Sequence, residues 1–367
     1  MSLINQQIHL IKRPAGEVKP SDFKLVEAPV PALKKGEVLL KTEYFSLDPY
    51  MRNRMNDLKS YAEAFKLNEV LTGHSICRVE ESNSPDLKAG DMVLASTGWQ
   101  KYAVIKPTLS ETMGFDERTV TKLDPAVKPS LYLGTLGMPG FTAYHGLLEI
   151  GQPQAGETVV VAAATGPVGS MVGQLAKAKG CHVVGIAGGP EKCRYAIEHF
   201  GFDACIDHTS KTMAKDLKQA CPKGIDIYYE NVGGTIFKAV LPLLNAFARV
   251  PVCGAIQWYN DAATLAEKSF SFDQILPRIA AFFRTFFHLD QTPLIWFNLI
   301  GKRLKLQGFI ISDHYKGYGK FLKETIPLVH SGKIKVKEDI VKGIENAPQA
   351  IAGLLRGKNF GKLVIEV

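Results

Sequence analysis

The sequence has few cysteines, and no two of them form a C-x-x-C pair. They lie far apart along the 367 residues, at Cys77, Cys181, Cys193, Cys205, Cys221 and Cys253. This wide spacing argues against a disulfide framework and is typical of proteins from a reducing compartment. We therefore expect free thiols and a cytoplasmic protein.

The sequence also lacks long hydrophobic runs and concentrated positive charge. No uncharged apolar stretch reaches the roughly 18 residues that a membrane helix requires, and the N-terminal residues MSLINQQIHL contain no signal-peptide core. The net charge of +8 is spread over scattered lysines and arginines, so we expect neither a nucleic-acid nor a membrane partner. A basic surface suits an anionic cofactor and substrate equally well.

What remains is the composition of a globular protein, with 46% hydrophobic and 22% charged residues, long enough for two domains. Residues 1 to about 128 contain short strand-like runs separated by turns such as Lys88-Ala89-Gly90, which predicts a small barrel-like domain. The predicted strands are Gln7–Lys12, Phe23–Glu27, Glu37–Ser46, Ser75–Glu81, Asp91–Ser96 and Gln100–Ile105.

Strands and helices alternate further along the chain, which predicts an α/β fold with a doubly wound parallel sheet. The predicted strands of this region are Thr158–Ala164, Cys181–Ala187, Ala204–Asp207, Ile225–Glu230, Ala248–Cys253 and Lys305–Ile311. The predicted helices are Ala143–Glu149, Ser170–Lys179, Glu191–Phe200, Thr212–Cys221, Thr235–Leu244, Tyr315–His330 and Ala347–Arg356, and Gly361–Val367 is a last strand.

The stretch Glu157–Gly180 has the order of a dinucleotide-binding corner, which is a strand, a glycine turn and a helix. The predicted turn is Thr165-Gly166-Pro167-Val168-Gly169, with Ala164 at the first glycine position of the usual G-x-G-x-x-G pattern. Gly166 would admit a pyrophosphate and Gly169 would let the helix pack close to the strand.

The next strand ends without the acidic residue that an NAD-binding corner uses to hold the ribose hydroxyls. Gly188 and Gly189 occupy this place, and Lys192 and Arg194 follow. The absence of the acidic residue and the presence of two cationic residues both suit a 2′-phosphate. We therefore predict NADP(H). Glu191 is interpreted as an acid in the first turn of a helix, where it complements the helix dipole, and Arg194 as a solvent-facing residue.

Several motifs together resemble the medium-chain dehydrogenase/reductase superfamily, and specifically its zinc-free leukotriene B4 dehydrogenase/prostaglandin reductase branch, which includes bacterial curcumin-reductase-like enzymes. The motifs are Asp48-Pro49-Tyr50-Met51-Arg52, Gly137 to Tyr144, Ala163 to Ser170, Glu230 to Gly234, Cys253-Gly254-Ala255-Ile256, Tyr259-Asn260, Gln307-Gly308-Phe309 and Asn359-Phe360-Gly361-Lys362. The resemblance implies a GroES-like β domain of residues 1–130 and 303–367, a Rossmann domain of residues 131–302, and a homodimer.

Zinc-dependent relatives need ligands that this chain lacks. Where they carry a cysteine near the third strand, the chain has Phe45-Ser46-Leu47-Asp48. Where they carry Gly-His-Glu, it has Gly73-His74-Ser75, and no cysteine lies between Asp91 and Phe115. We predict no metal site and interpret His74 as a packed or hydrogen-bonded histidine.

The resemblance implies Tyr259 as the catalytic hydrogen-bond donor, and the loop position of Tyr50 makes it a second candidate. An exposed loop aromatic and a packing residue stay open as their respective alternatives. The corner and the family motifs assign the cofactor to Met138, Thr142, Thr165, Gly166, Val168, Gly169, Gly188, Lys192, His208, Asn231, Cys253, Ile256, Tyr259, Phe309 and Asn359. Relatives usually carry tyrosine where His208 stands, and an imidazole would still reach the 2′-phosphate.

Without a metal, hydride addition to a C=C bond conjugated to a carbonyl is favoured over reduction of a simple ketone, because the charge arrives on an enolate oxygen. We therefore predict an NADPH-dependent reductase of small apolar α,β-unsaturated ketones and aldehydes. A quinone reductase and a non-catalytic NADPH-binding sensor stay open as alternatives. The aromatic-rich connection 261–302 is interpreted as core or subunit interface, or as a wall of the substrate pocket.

Overall fold

The computed structural model describes residues 3–114, 116, 118–261 and 292–367. The chain divides into two compact units. The first contains Met1–His145, Thr165–Met171 and Ile310–Val367, and the second contains Gly146–Ala164 and Val172–Phe309. The domain boundaries expected from the sequence stay a prediction.

The first unit is built mainly from β-strands. An antiparallel pair joins β1 and β2, and a larger sheet has the order β15-β16-β3-β4-β5-β8-β7, with β6 also paired to β3. The bounds are β1 Ile4–Leu10, β2 Phe23–Pro29, β3 Val38–Ser46, β4 Ser75–Ser82, β5 Met92–Ala95, β6 Tyr102–Ile105, β7 Thr108–Leu109, β8 Thr119–Lys122, β15 Glu338–Lys342 and β16 Lys362–Glu366. Each predicted N-terminal strand is present, with ends shifted by a few residues.

Apolar side chains around Trp99 form one core of the first unit. Trp99 is fully buried and stacks between Phe23 and Phe45, with ring centroids 5.8 Å and 5.7 Å away. Leu47 and Met51 belong to the same core. Because these two residues flank Asp48-Pro49-Tyr50, core packing brings that turn to a defined place. The helices of this unit are α1 Tyr50–Arg54, α2 Met138–His145, α8 Tyr318–His330 and α9 Ala347–Leu354.

The second unit is a parallel sheet with the strand order β11-β10-β9-β12-β13-β14. Its strands are β9 Thr158–Ala162, β10 His182–Ala187, β11 Ala204–Asp207, β12 Ile225–Tyr229, β13 Leu244–Val252 and β14 Lys305–Gly308. The helices along this part of the chain are α3 Pro167–Ala178, α4 Pro190–Glu198, α5 Met213–Ala220, α6 Gly234–Val240 and α7 Thr292–Lys302. The strand order reverses between β9 and β12, where doubly wound sheets bind their ligands. The predicted α/β fold is confirmed.

The predicted boundaries of the dinucleotide-binding corner were wrong by a few residues. The strand ends at Ala162 because Ala163 has a φ of 54°, in the left-handed region that a strand residue does not adopt. The helix begins at Pro167, since proline is well suited to the first helical position. Val168 and Gly169 therefore lie in the first turn of α3 rather than in the loop.

Gly173, a glycine that permits close packing of α3, was not predicted from the sequence. A Cβ atom added at Gly173 would lie 1.9 Å from Cζ of Phe202. The Phe202 ring thus fills the space where a side chain of this helix would stand. Gly169 matches the familiar glycine pattern, and its predicted role in close packing stays a prediction.

Two predicted helices were wrong in type or start. Ala143–Glu149 is the end of α2 followed by a π-helical turn, Gly146–Gly151. The segment before α8 is a 3₁₀ helix, Ile311–Gly317, so the α-helix begins at Tyr318 rather than at Tyr315.

The aromatic-rich connection is described only in part. Residues 262–291, with most of its phenylalanines, lie outside the described residues. On α7, Trp296 and Phe297 are 60% and 74% exposed. In the part of the chain that the structure describes, no helix is both long and apolar enough to span a membrane.

Candidate active site

The carboxyl edge of the parallel sheet gathers many of the predicted residues of the second unit. Gly188 follows β10, His208 follows β11, Asn231 lies just beyond β12, Cys253 follows β13 and Phe309 follows β14. Parallel strands end at the same edge of a sheet, so the residues that directly follow these strands lie along that edge. The Asn231 amide donates to the carbonyl of Ala162 at 2.8 Å, which ties the end of β12 to the end of β9.

Asp207 holds together the two turns that follow β10 and β11. Its Oδ1 atom accepts hydrogen bonds from the backbone N–H of Gly189 at 2.9 Å, and from the N–H and hydroxyl of Thr209 at 2.9 Å and 2.8 Å. Burial acts to raise its pKa, but these hydrogen bonds outweigh burial and hold the pKa below the usual value. Oδ1 of this carboxylate therefore joins the turn after β10 to the turn after β11.

Gly188 faces His208 across these turns. A Cβ atom added at Gly188 would lie 3.0 Å from Nε2 of His208, so a side chain there, including a ribose-binding acid, would be crowded. Lys192 is half-buried in the first turn of α4. Glu191 lies exposed in the same turn and Arg194 is exposed further along, as predicted.

Tyr259 follows a short 3₁₀ helix, Ile256–Trp258, beyond the end of β13. Its side chain is half-buried, and its hydroxyl oxygen accepts the backbone N–H of Ala255 at 3.3 Å. A Cβ atom added at Gly254 would lie 3.0 Å from this oxygen, so glycine leaves the space that the phenol approaches.

The loop that contains Tyr259 is fixed to the end of β12 by backbone hydrogen bonds. The carbonyl of Glu230 accepts the N–H groups of Cys253 at 2.9 Å and of Gly254 at 3.2 Å. The carbonyl of Asn231 accepts the N–H of Ile256 at 3.3 Å. Neighbouring strand ends therefore hold the segment from which the phenol projects.

Glu230 is a buried carboxylate at the start of the Glu230 to Gly234 motif, and no role for it was predicted from the sequence. Oε1 accepts the N–H groups of Val232 at 2.7 Å and Gly233 at 2.8 Å, and the hydroxyl of Tyr228 at 3.0 Å. Burial nevertheless raises its pKa above the usual value. Glu230 stabilises the turn that presents Asn231.

Cys253 is not set up as a nucleophile. Burial raises the pKa of its thiol to about 12, although a hydrogen bond with Tyr229 acts in the opposite direction. Gly146 permits this packing, because a Cβ atom there would lie 2.5 Å from the Tyr229 hydroxyl and 2.7 Å from the Phe309 ring. A neutral thiol beside the sheet edge suits an apolar cofactor contact.

In the first unit, Tyr50 begins α1 with its hydroxyl shielded from solvent. Burial raises the pKa of this phenol and Asp48 adds to the effect, while Arg54 opposes it. The Arg54 guanidinium acts electrostatically on the Tyr50 phenol and donates a hydrogen bond to the Glu63 carbonyl at 2.8 Å. A phenol that stays protonated is competent as a hydrogen-bond donor.

The other predicted cofactor contacts of the first unit are held by short local interactions. The Thr142 hydroxyl donates to the carbonyl of Met138 at 2.7 Å within α2. The Asn359 amide donates to the carbonyl of Gly361 at 2.8 Å. Thr165 is buried, and the Gly166 carbonyl accepts the N–H of Ser170 at 2.9 Å. Their contacts with the cofactor stay predictions.

His74 is buried, and its Nε2 atom lies 3.2 Å from the carbonyl oxygen of Gly114. Burial lowers the pKa of this imidazole. The interpretation of His74 as a packed and hydrogen-bonded residue is therefore confirmed. Among the described residues, no group of three or more His, Cys, Asp and Glu side chains is arranged to hold a metal ion.

Two family models match the chain. Residues 6–113 match the N-terminal domain of oxidoreductase, and residues 167–293 match zinc-binding dehydrogenase. The chain is 49% identical to the NADPH-dependent curcumin reductase of Escherichia coli (strain K12), over 99% of this chain and 97% of that protein. It is 38% identical to the NADP(+)-dependent 2-alkenal reductase of Nicotiana tabacum, over 99% and 97% of the two chains.

A solved structure gives the same result for the fold. The crystal structure of CurA from Vibrio vulnificus in complex with NADPH is 47% identical to this chain, with a TM-score of 0.84. The match covers 99% of both chains. Similarity therefore extends through both units and is not limited to the parallel sheet.

Proposed function

Because the chain belongs to the leukotriene B4 dehydrogenase/prostaglandin reductase branch of the medium-chain dehydrogenase/reductase superfamily, we propose which of its residues perform the chemistry of an NADPH-dependent enone reductase. The reaction is reduction of the C=C bond of α,β-unsaturated ketones and aldehydes by hydride transfer to the β-carbon. The observation that carries the assignment is the Tyr259 phenol, fixed beside the ends of β12 and β13.

The residues at the ends of β10 and β11 fit the phosphorylated ribose of NADP(H). Oδ1 of Asp207 already accepts the Gly189 and Thr209 N–H groups, so this oxygen is engaged by the protein rather than presented to ribose hydroxyls. Lys192 would hold the 2′-phosphate as a cation, with His208 beside it. Along the same edge, Asn231, Cys253, Ile256 and Phe309 would line the nicotinamide end. The remaining proposed cofactor contacts are Met138, Thr142, Thr165, Gly166, Val168, Gly169 and Asn359.

Tyr259 would stabilise the charge that develops on the substrate. The bound cofactor supplies the hydride. As negative charge builds on the carbonyl oxygen, the Tyr259 hydroxyl donates a hydrogen bond to that oxygen and stabilises the enolate. The backbone bonds that fix the loop hold the donor in place before the reaction, so little reorganisation is needed.

Tyr50 is the second proposed donor. Its protonated phenol would donate a hydrogen bond to the substrate or lie along the route by which a proton reaches the α-carbon. The Arg54 guanidinium, held by the Glu63 carbonyl, interacts electrostatically with the Tyr50 phenol. We further propose that the enzyme works without zinc, in the cytoplasm, as a homodimer, on small apolar conjugated carbonyl compounds.

The deciding experiment is NADPH consumption with a medium-chain enone in the presence of a metal chelator, with the product identified. Formation of the saturated ketone supports the proposal. Consumption with quinones alone would favour a quinone reductase. Tight NADPH binding without turnover on any conjugated acceptor would favour a non-catalytic sensor.

A further inference from the structure

Lys362, at the start of β16, has a buried ammonium group, and the side chain is only 3% exposed. Its Nζ atom donates to Ser46 Oγ at 2.6 Å, to the Leu47 carbonyl at 2.9 Å and to Asp48 Oδ1 at 2.7 Å. The Ser46 hydroxyl in turn donates to Oδ2 of Asp48. Every N–H of the ammonium and both carboxylate oxygens therefore have a partner.

The fold brings these residues together from opposite ends of the chain. Strand β16 pairs antiparallel with β3, with Val364 opposite Ser46. The methylene stem of Lys362 packs against Gly134, where an added Cβ atom would lie 3.1 Å from Cγ of the lysine. The glycine leaves room for the stem to reach the end of β3.

Lys362 is expected to be charged in this setting. Burial lowers its pKa, and the neighbouring Asp48 carboxylate acts in the opposite direction. Three acceptors surround the nitrogen atom, which matches the three N–H donors of an ammonium. A buried ion pair of this kind is weak evidence for a role in stability, because well-packed apolar residues often replace such pairs at no cost.

The network holds the turn from which Tyr50 projects. Asp48 is two residues before Tyr50, and its carbonyl accepts the N–H of Met51 at 3.1 Å in the first turn of α1. Met51 is fully buried in the core around Trp99, which limits movement of the far side of this turn. The Lys362 ammonium fixes the near side, where the strand ends and the helix begins.

We propose that Lys362 is a positioning residue: through Ser46, Leu47 and Asp48 it fixes the turn that places the Tyr50 hydroxyl for reduction of the enone. The proposal deepens the proposed function and rests on it for the role of Tyr50. Lys362 touches neither substrate nor cofactor in this account. Its effect reaches the reaction only through the position of Tyr50.

A double-mutant cycle with Tyr50→Phe tests this dependence, with kcat measured on an enone at saturating NADPH. We expect Lys362→Met to lower kcat roughly 10- to 100-fold, because a displacement of about 1 Å can cost that much. The same substitution in the Tyr50→Phe background is expected to have an effect of less than about threefold. Lys362→Arg should restore part of the rate. Equal losses in both backgrounds would overturn the proposal.

Three further variants separate positioning from general destabilisation. Val79→Ala, in a different core cluster of the same unit, should lower the melting temperature and leave kcat unchanged. If Lys362→Met does not fold, Lys362→Met/Asp48→Leu replaces the pair with apolar groups, and Ser46→Ala removes only the bridging hydroxyl. Both should still lose activity in a Tyr50-dependent manner, and full activity in either would overturn the proposal.

A readout independent of turnover separates failure of this proposal from failure of the proposed function. With 3-fluorotyrosine at position 50, we expect one ¹⁹F resonance in the otherwise native full chain and in Lys362→Arg. We expect a broadened or second resonance in Lys362→Met. An altered resonance in Lys362→Met, together with a native protein that reduces no enone, would contradict only the proposed function. An unchanged resonance in Lys362→Met would contradict the positioning role of Lys362.

Discussion

In the second unit, the candidate residues lie along the carboxyl edge of a parallel sheet, whereas in the first unit Tyr50 lies at the start of a short helix held by buried side chains. Backbone geometry does most of the positioning at the sheet edge, since β12 and β13 end side by side and share hydrogen bonds. The Tyr50 turn depends on Lys362, more than 300 residues away in sequence. We expect the position of Tyr259 to tolerate changes in the surrounding side chains better than the position of Tyr50 does.

The largest effect is expected from the sheet edge itself, at Tyr259. Tyr259→Phe removes the hydroxyl and keeps the ring, so kcat for enone reduction should fall roughly 10- to 1000-fold. The dissociation constant of NADPH, measured by fluorescence quenching, should stay nearly unchanged. Tyr102→Phe, in β6, is the matched control and should keep full activity. An unchanged rate in Tyr259→Phe would remove this residue from the chemistry.

Next in size is the effect on cofactor choice at α4. Lys192→Gln removes the cation proposed for the 2′-phosphate and should weaken NADPH binding roughly 10- to 100-fold, in the range for a lost charged hydrogen bond. Binding of NADH should not change, because it lacks the phosphate. Arg194→Gln, on the exposed face of the same helix, should bind both cofactors as before. Equal weakening for NADH and NADPH would contradict the assignment.

A smaller effect concerns packing beneath the sheet edge. Gly173→Ala places a methyl group where the Phe202 ring lies and should lower the free energy of unfolding by about 1–3 kcal/mol. Gly319→Ala, in α8, meets no atom within 4 Å and should be neutral or slightly stabilising. Urea denaturation of the two variants checks the contrast. Equal stability of the two would show that α3 and Phe202 can move apart freely.

The smallest effect is a pH dependence of stability from Glu157, just before β9. Arg249 contacts both carboxylate oxygens at 2.7 Å, and although burial opposes it, this pairing lowers the pKa of Glu157. Because the folded-state pKa lies below the unfolded value of about 4.3, the pair stabilises the fold at neutral pH. That contribution, about 1 kcal/mol, is lost as the pH falls through the folded-state pKa.

Arg249→Gln should therefore be destabilised at pH 7 and match the unsubstituted protein in strongly acidic solution, as measured by urea denaturation. Arg356→Gln removes an exposed partner of Glu17, and we expect no measurable change from it. A destabilisation of Arg249→Gln that is the same at both pH values would show that the guanidinium acts through its contacts with backbone carbonyls instead.

The parallel sheet could be predicted from the sequence because its signals are local. Runs such as Thr158 to Ala162 are continuously apolar, and helical segments separate them at regular intervals. Strand ends were less certain, because a single backbone angle at Ala163 decides where β9 stops. Resemblance to known motifs supplied Tyr259 and Asn231, which no local pattern marks as functional.

The side chains that fix the candidate site were largely missed, since their roles depend on partners distant in sequence. In the sequence, Lys362 is simply a lysine at the start of an apolar strand. Only the pairing of β16 with β3 brings it to Asp48. Asp207 was predicted merely as the end of a strand, yet its carboxylate fixes the turn at Gly189. The only sequence signal for Lys362 was its place directly after a glycine, Gly361, at the start of a strand.

The fate of the transferred hydrogen most directly tests whether the enzyme reduces the C=C bond by hydride transfer to the β-carbon. Incubation of the enzyme with an enone and NADPH deuterated at the nicotinamide C4 position, followed by NMR of the product, locates the label. We predict a saturated ketone with deuterium on the former β-carbon. Deuterium on the carbonyl carbon of an allylic alcohol would contradict the account, because the enzyme would then reduce the C=O bond and need no enolate donor.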